Sequence, residues 1–333
     1  MSGRELGVGI VGAGAFGAQH ARAVAAVPGV RVTAASARTP ARLDAFVREH
    51  GGTPYRDYRD LLHDPAVDLV CIVLPNTLHA EATIAAAELG KPILIEKPMA
   101  STVEQCDAMV DVVRTTGVPA MVAHPYRYMS TYREAKRLID AGEIGTPLLG
   151  TAAMVKDWGF DTRAPWHLAP GGGMWLTNAC HLVDRLSWLL GALPTDIRAS
   201  VGAYFHPQEA DDTGIGLLSF DSGAVGVVRA VGYSAGAVDN DTEIQGTRGA
   251  LRVSHTEGVF VGRDDRWTQV ACTDPGGQLA AIVAEWEDFL RYVREGGESP
   301  VSVEYGRRVV AAVVAGLQSS ASGQVVAIGE GAA

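Results

Sequence analysis

Apolar residues in the first third of the chain fall in short continuous runs separated by longer, helix-forming stretches. Leu6–Val11 (LGVGIV), residues 69–74 within DLVCIVL, Ile93–Ile95 (ILI) and 119–123 (PAMVA) are such runs, bounded by Gly, Pro or charged positions, and 30–35 (VRVTAA) is the expected second strand. Uninterrupted apolar runs of this length suit strands buried on both faces of a parallel sheet. Between them, residues 18–27, a stretch reaching about 89, and 102–116 have helical composition. The alternation predicts a doubly wound parallel sheet over 1–123.

Beyond residue 123 the pattern changes. Residues 129–141 read as a helix closed by Gly142, and Gly145-Thr146-Pro147 turns the chain into a strand over 148–155. Gly171-Gly172-Gly173 opens a helix running to about 190. From 197 to about 270 strands alternate with turns, as in GIGLLSF and AVGVVRAVGY across Asp221-Ser222-Gly223. Gly216, Gly226 and Gly232 weaken those strands unless something packs closely on them, and a partner subunit is one candidate. Leu279, Ile282, Val283, Trp286, Phe289, Leu290 and Val293 follow a helical period, and a last helix covers about 303–319. The expected class is α/β: a doubly wound domain, then over 124–333 an α/β domain on a large open, mostly antiparallel sheet, its C-terminal helix packing back on the first domain.

The first strand runs straight into Gly12-Ala13-Gly14-Ala15-Phe16-Gly17, a GxGxxG that opens a helix. Its glycines permit a tight turn and close approach of a pyrophosphate to free helix amides, with Ala15 and Phe16 beside it. This marks residues 1–123 as a Rossmann dinucleotide-binding domain. At the end of the second strand an acid normally grips a ribose 2′-hydroxyl, whereas an arginine beside small residues accepts a 2′-phosphate. Here the chain reads Ser36-Ala37-Arg38-Thr39-Pro40, with no acid before Asp44. Ser36, Arg38 and Thr39 therefore favour NADP, with NAD as the alternative if Arg38 lies in solvent or stacks on adenine. Pro75, Asn76 and His79 are expected along the same sheet edge, Asn76 serving equally well as a helix cap. Glu96-Lys97-Pro98 ends the strand of Ile95 at that edge, and a cis Lys97-Pro98 bond fits a proline that aims the charged pair.

A second cluster follows the triple glycine. Thr177 and His181 are four apart, and Asn178 and Asp184 are each three from His181, so all four can share a helix face or its margins. A histidine so placed is a natural proton acceptor, or else a core histidine held by Asp184. Trp158, Arg163, Trp166 and His167 precede it and can line a sugar or ring-shaped substrate, or in part be core. The histidines lack zinc spacing and clustered acids or cysteines, which argues against a metal.

Composition narrows the class. A chain of 333 residues with 47% hydrophobic and 20% charged positions has room for two cores. Its net charge of -10 argues against nucleic acid and anionic membrane surfaces as partners. The four cysteines are scattered, as in reduced cytoplasmic proteins. The first apolar segment reads as strand and turn and not as a signal peptide, and no apolar run spans a bilayer.

Together, GAGAFGAQH at 12–20, PNTLHA at 75–80, EKP at 96–98, the GGG block ending in HLVD at Asp184, and GTRGAL at 246–251 resemble the Gfo/Idh/MocA family of NAD(P)-dependent oxidoreductases, over nearly the whole chain. The resemblance implies an open sheet that builds homodimers or homotetramers. It also implies Lys97 on the reacting hydroxyl and nicotinamide ribose, and His181 as acid/base; Glu96 and Trp166 are further candidates for contact with the cofactor. One position departs from the family pattern: Thr177 stands where an aspartate usually precedes the histidine. Threonine only hydrogen-bonds, which leaves Asn178 or Asp184 to orient the ring, or Lys97 to carry the proton. The expected activity is hydride transfer between NADP(H) and a secondary carbinol of a sugar, cyclitol or related cyclic diol. Arg127, Trp158, Arg163, His167 and Asn178 would shape the pocket. The arginines leave room for a uronic acid or a carboxylated dihydrodiol, and a catalytically silent nucleotide-binding sensor is the alternative class.

Overall fold

The structure is a computed structural model and describes residues 4–158, 163–233, 236–271 and 277–329. The chain divides into two compact units, Met1–Pro125 with Gln278–Arg307, and Tyr126–Gly277 with Arg308–Ala333.

In the first unit, β1 (Leu6–Val11), β2 (Val30–Ser36), β3 (Thr53–Tyr55), β4 (Leu69–Ile72), β5 (Ile93–Ile95) and β6 (Ala120–Val122) form one sheet in the order β3-β2-β1-β4-β5-β6. Every pairing in it is parallel. β1, β4, β5 and β6 are buried along their whole length, as their continuous apolar runs require. The crossovers are α1 (Ala15–Ala26), α2 (Pro40–His50), α3 (Tyr58–Leu62), α4 (His79–Glu88) and α5 (Val103–Thr116). Thr102 caps α5 by accepting from the Gln105 amide at 3.2 Å.

A single cut after residue 123 would assign residues 278–307 to the second domain, whereas the structure counts them with the first. Burial explains it. Helix α8 (Gly277–Glu295), numbered after α6 (Ser130–Asp140) and α7 (Cys180–Leu190), buries Ile282, Trp286, Phe289 and Leu290. Beyond it, the Val301 carbonyl accepts the Val122 amide of β6 at 3.0 Å. Helix α9 (Val303–Ser322) starts in this unit.

The second unit is built on β7 (Pro147–Asp157), β8 (Pro194–Gly202), β9 (Thr213–Phe220), β10 (Val225–Tyr233), β11 (Thr242–Gly246), β12 (Gly249–Ser254), β13 (Gly258–Arg263), β14 (Arg266–Ala271) and β15 (Val326–Ala327). Their order is β14-β13-β12-β11-β7-β10-β9-β8-β15. Neighbours run antiparallel except β7 with β10. One face carries α6 and α7. The other is open, leaving Leu149, Ile215, Leu217 and Val225 exposed.

The strand glycines are covered from within the chain. An added Cβ at Gly216 would meet Trp175 at 3.1 Å, one at Gly226 would meet Leu186 at 2.9 Å, and one at Gly232 would meet Trp158 at 2.7 Å. Those side chains, and not a partner subunit, occupy the space over the glycines. Among the described residues no helix is long and apolar enough to cross a membrane.

Candidate active site

In the first unit the carboxyl ends of β2, β1, β4 and β5 lie side by side along one edge, with the strand order reversing between β1 and β4. Ligands bind open parallel sheets at such a reversal. Gly12 begins the first turn with φ +117, and a Cβ there would lie 2.4 Å from the Val73 carbonyl. No L side chain fits that backbone without displacing it. The Gly12 and Ala13 amides both donate to the Ser36 carbonyl, at 3.2 and 2.9 Å, which ties the turn to the end of β2. A Cβ on Gly17 would come within 2.2 Å of the Gly12 carbonyl, whereas one on Gly14 would meet nothing within 4 Å. Helix α1 starts there with no side-chain cap and no acid in its first turn.

That combination fits a dinucleotide: open space at Gly14 for a pyrophosphate, facing helix amides without a side-chain partner. Ala15 is exposed and Phe16 half-buried at this edge. After β2, Ser36 is buried, while Arg38 and Thr39 are exposed. Thr39 is the N-cap of α2, with Pro40 following, no side-chain cap bond and no acid in the first turn.

After β4, Asn76 is buried at the start of a single 3-10 turn, Asn76–Leu78. It does not cap the next helix, because α4 begins at His79 with Leu78 in the cap position. Pro75 anchors the turn by accepting the Leu78 amide at 2.8 Å. The His79 ring is buried between the Pro98 carbonyl at 3.0 Å and the Leu74 carbonyl at 2.8 Å. It therefore tethers the loop after β4 to the loop after β5. Burial pushes the His79 pKa down, against the pull of those carbonyls and of Glu96.

Glu96 is buried, with Oε1 on His20 Nε2 at 3.0 Å and Oε2 accepting the Lys97 amide at 3.0 Å. Desolvation alone would raise its pKa, but His20, Lys97 and His79 together hold it below the ordinary value. Lys97 is half-buried beside it, and the Lys97-Pro98 peptide bond is cis.

In the second unit the glycine-rich loop leads into five residues of π-helix, Trp175–Ala179, before α7 begins. A wider turn of this kind is frequent at functional sites. Trp175 explains its position. The indole fills the space over Gly214, Gly216 and Gly316, and its Nε1 donates to the Val313 carbonyl at 2.9 Å. Asp211 Oδ1 accepts the Trp175 amide at 2.5 Å, and the Asp211 carbonyl accepts that of Met174 at 3.0 Å. Desolvation pushes the Asp211 pKa up to about 6.

Thr177 Oγ1 donates to the Gly173 carbonyl at 2.7 Å and accepts from Asn178 Nδ2 at 2.9 Å, while Asn178 Oδ1 accepts from Lys156 Nζ at 2.8 Å. The chain from Lys156 to Gly173 was not expected, and it brings a cation close to the departing position, Thr177. Its sequence signal is parity: Lys156 shares the strand register of the buried Ala152 and Met154 at the end of β7.

His181 is only 7% exposed, and its ring stands edge-on to Tyr126 at 4.9 Å. Tyr126 in turn lies under the buried Arg185 at 3.6 Å, and its hydroxyl accepts from Asn240 Nδ2 at 3.0 Å. Asp184, expected beside His181, accepts Arg127 at 2.7 and 2.8 Å. Much of its charge is thus balanced by the guanidinium. Arg163 stacks on Trp158 at 4.3 Å and donates to Gln208 at 2.9 Å. Trp166 stacks on His167 at 3.6 Å, and His167 stands edge-on to Trp158 at 5.9 Å. The expected aromatic and cationic residues do therefore form one cluster, with Trp166 belonging to the second unit.

Similarity to known proteins agrees with both units. A family model described as "Oxidoreductase family, NAD-binding Rossmann fold" matches residues 6–124, and one described as "GFO/IDH/MocA C-terminal domain" matches 132–252. Levoglucosan dehydrogenase of Pseudarthrobacter phenanthrenivorans is 30% identical over 92% of this chain and 94% of its own. The scyllo-inositol 2-dehydrogenase (NAD(+)) of Bacillus subtilis is 34% identical over 73% of this chain and 72% of its own. Among solved structures, levoglucosan dehydrogenase in complex with NADH superposes with a TM-score of 0.88 at 28% identity, covering 97% of this chain and 99% of that one. The two family models together span most of the described chain, and the chain is a member of the GFO/IDH/MocA family of NAD(P)-dependent oxidoreductases.

Proposed function

We propose that this enzyme moves a hydride between NADP(H) and a secondary alcohol or ketone of a sugar, cyclitol or related cyclic diol. The observation that carries the reading is the placement of Lys97 at the carboxyl end of β5, beside a buried, ionised Glu96 and on the sheet edge of the glycine turn. Relatives named for levoglucosan and scyllo-inositol, both cyclic polyols, support the substrate class.

The cofactor, when bound, supplies or accepts the hydride at C4 of its nicotinamide. Gly14 and the first turn of α1 hold its pyrophosphate, with Ala15, Phe16, Pro75 and Asn76 along the same edge. Lys97 polarises the reacting oxygen and positions the nicotinamide ribose. His181 exchanges the hydroxyl proton, a task suited to an imidazole held in a nearly dry site. Thr177 and Asn178, tied to Lys156, fix the helix start that carries it. Trp158, Arg163, Trp166 and His167 present flat faces to a ring. With Arg127 engaged by Asp184, a carboxylated substrate would rely on Arg163 or Lys156.

NADP over NAD rests on the end of β2. An exposed Arg38 and Thr39 stand there at the uncapped N-terminus of α2, with no acid in its first turn to repel a 2′-phosphate. The exposed apolar face of the second sheet, with Ile215 at 49% and Leu217 at 52% exposure, favours self-association. Thr177 is the one feature favouring a catalytically silent sensor.

The test is a fluorescence titration with NADPH and NADH, followed by turnover on a panel of cyclitols and anhydrosugars with wild type and Lys97→Met. The expected outcome is tighter binding of NADPH and a turnover loss of about 100- to 10,000-fold in the variant. Full turnover in Lys97→Met would end the mechanism, and binding of neither cofactor would end the oxidoreductase reading.

A further inference from the structure

Behind the sheet edge of the first unit, three buried side chains form a line that ends at Lys97. Trp286 Nε1 donates to His20 Nδ1 at 3.0 Å, and His20 Nε2 faces Glu96 Oε1 at 3.0 Å. Glu96 Oε2 accepts the Lys97 amide. Trp286 and His20 are fully buried and Glu96 nearly so. An indole N–H only donates, so Nδ1 of His20 has to be the bare, accepting nitrogen. The ring is then the neutral tautomer with its proton on Nε2, donated to the carboxylate. Trp286 belongs to α8 and His20 to α1, so two helices far apart in sequence set the state of one acid at the end of β5.

We infer that Trp286 and His20 are positioning residues of the enzyme: by locking one tautomer they keep Glu96 an oriented anion that fixes the backbone and local field of Lys97. The inference rests on the proposed role of Lys97. Should the ring turn or change tautomer, a bare nitrogen would face the buried carboxylate, which would then need a proton of its own to keep the contact. The groups facing Glu96 are His20 from α1, Cys71 from β4, His79 from α4 and Lys97 beside it, with Glu285 of α8 near Cys71. Of these, His20 is the one that hydrogen-bonds its Oε1.

Two measurements test this. In the apo protein, nitrogen-15 NMR of labelled histidines, with His20→Gln to assign the signal, is expected to show His20 with bare Nδ1 and protonated Nε2. The reverse tautomer or an imidazolium at neutral pH would overturn the inference without reference to activity. In Trp286→Phe, which keeps an aromatic ring and removes the N–H, kcat/KM is expected to fall about tenfold. Its acid limb is expected to move up by about one pH unit, as Glu96 takes up a proton more readily, while the Kd for NADPH changes less than twofold. A purely structural Trp286 would lower the melting temperature and leave the pH profile superimposable on wild type, which also overturns it. Lys97→Met is assayed alongside. Full turnover there would defeat the function reading, whereas collapse there with an unshifted Trp286→Phe profile would defeat this inference alone.

Discussion

Asp211 offers the most quantitative test of the second unit, because its carboxylate supports the start of the helix bearing Thr177 and His181. Desolvation raises its pKa from 3.8 to about 6, although the Trp175 amide and its own backbone amide pull it down. A group whose folded pKa lies above its unfolded value makes the native state less stable as pH rises between the two. Below about pH 4 both states hold the proton and nothing is lost. Between about 4 and 6 only the unfolded chain releases it, and stability falls. Above about 6 the full penalty persists. Two units correspond to about 3 kcal/mol, and partial solvent contact of Asp211 reduces this to about 2 kcal/mol. Asp211→Asn keeps an acceptor for the Trp175 amide and removes the charge. It is expected to be about 2 kcal/mol more stable than wild type at pH 7.5, and to match it near pH 4. For a unit of this size that means a melting temperature higher by about 4–8 °C. Urea denaturation of both proteins from pH 4 to 8, followed by circular dichroism, measures it. Parallel stability curves would refute the argument.

Other substitutions probe the remaining parts. Arg38→Ala should weaken NADPH binding by about 10- to 100-fold, the value of one charge-assisted contact, and leave NADH binding within about twofold in the same titration. Trp175→Ala empties the space against Gly214, Gly216 and Gly316 and should cost about 3–5 kcal/mol in urea unfolding; a loss under about 1 kcal/mol would show that the π-helical turn collapses onto the gap. Lys156→Met removes the donor to Asn178 and should lower kcat/KM about tenfold with cofactor affinity unchanged, and Lys156→Arg should recover part of it. Equal loss in both variants would argue that the ammonium itself, and not the hydrogen bond, is what matters.

Much of the first unit is visible in its residues, since buried parallel strands leave unbroken apolar runs and the glycine turn has few alternatives to Gly12 and Gly17. The short edge strand Thr53–Tyr55 is not visible, because a proline and two half-polar neighbours leave no periodic signal. In the second unit the alternation of β9 and β10 gave away the sheet. Helical spacing places Asp184 near His181, but spacing cannot show that Arg127, from another segment, also pairs with that carboxylate. The π-helical turn was equally hidden, being dictated by an indole wedged among glycines of other elements. Lys156 and Asp211 carry little sequence signal for the same reason: their partners, Asn178 and the Trp175 amide, come from distant parts of the chain.

The membership of residues 278–307 in the first unit bears on how the enzyme is made. A ribosome delivers the six parallel strands by residue 122, yet the helix bearing Trp286 emerges only after the whole stretch 126–277 has been synthesised. Until then the first unit lacks the buried side chains Ile282, Trp286, Phe289 and Leu290, and His20 lacks the donor that selects its tautomer. Completion of the nucleotide-binding unit is thereby deferred until the intervening residues 126–277 have been made, and premature termination anywhere before residue 286 yields a chain without the Trp286 donor for His20.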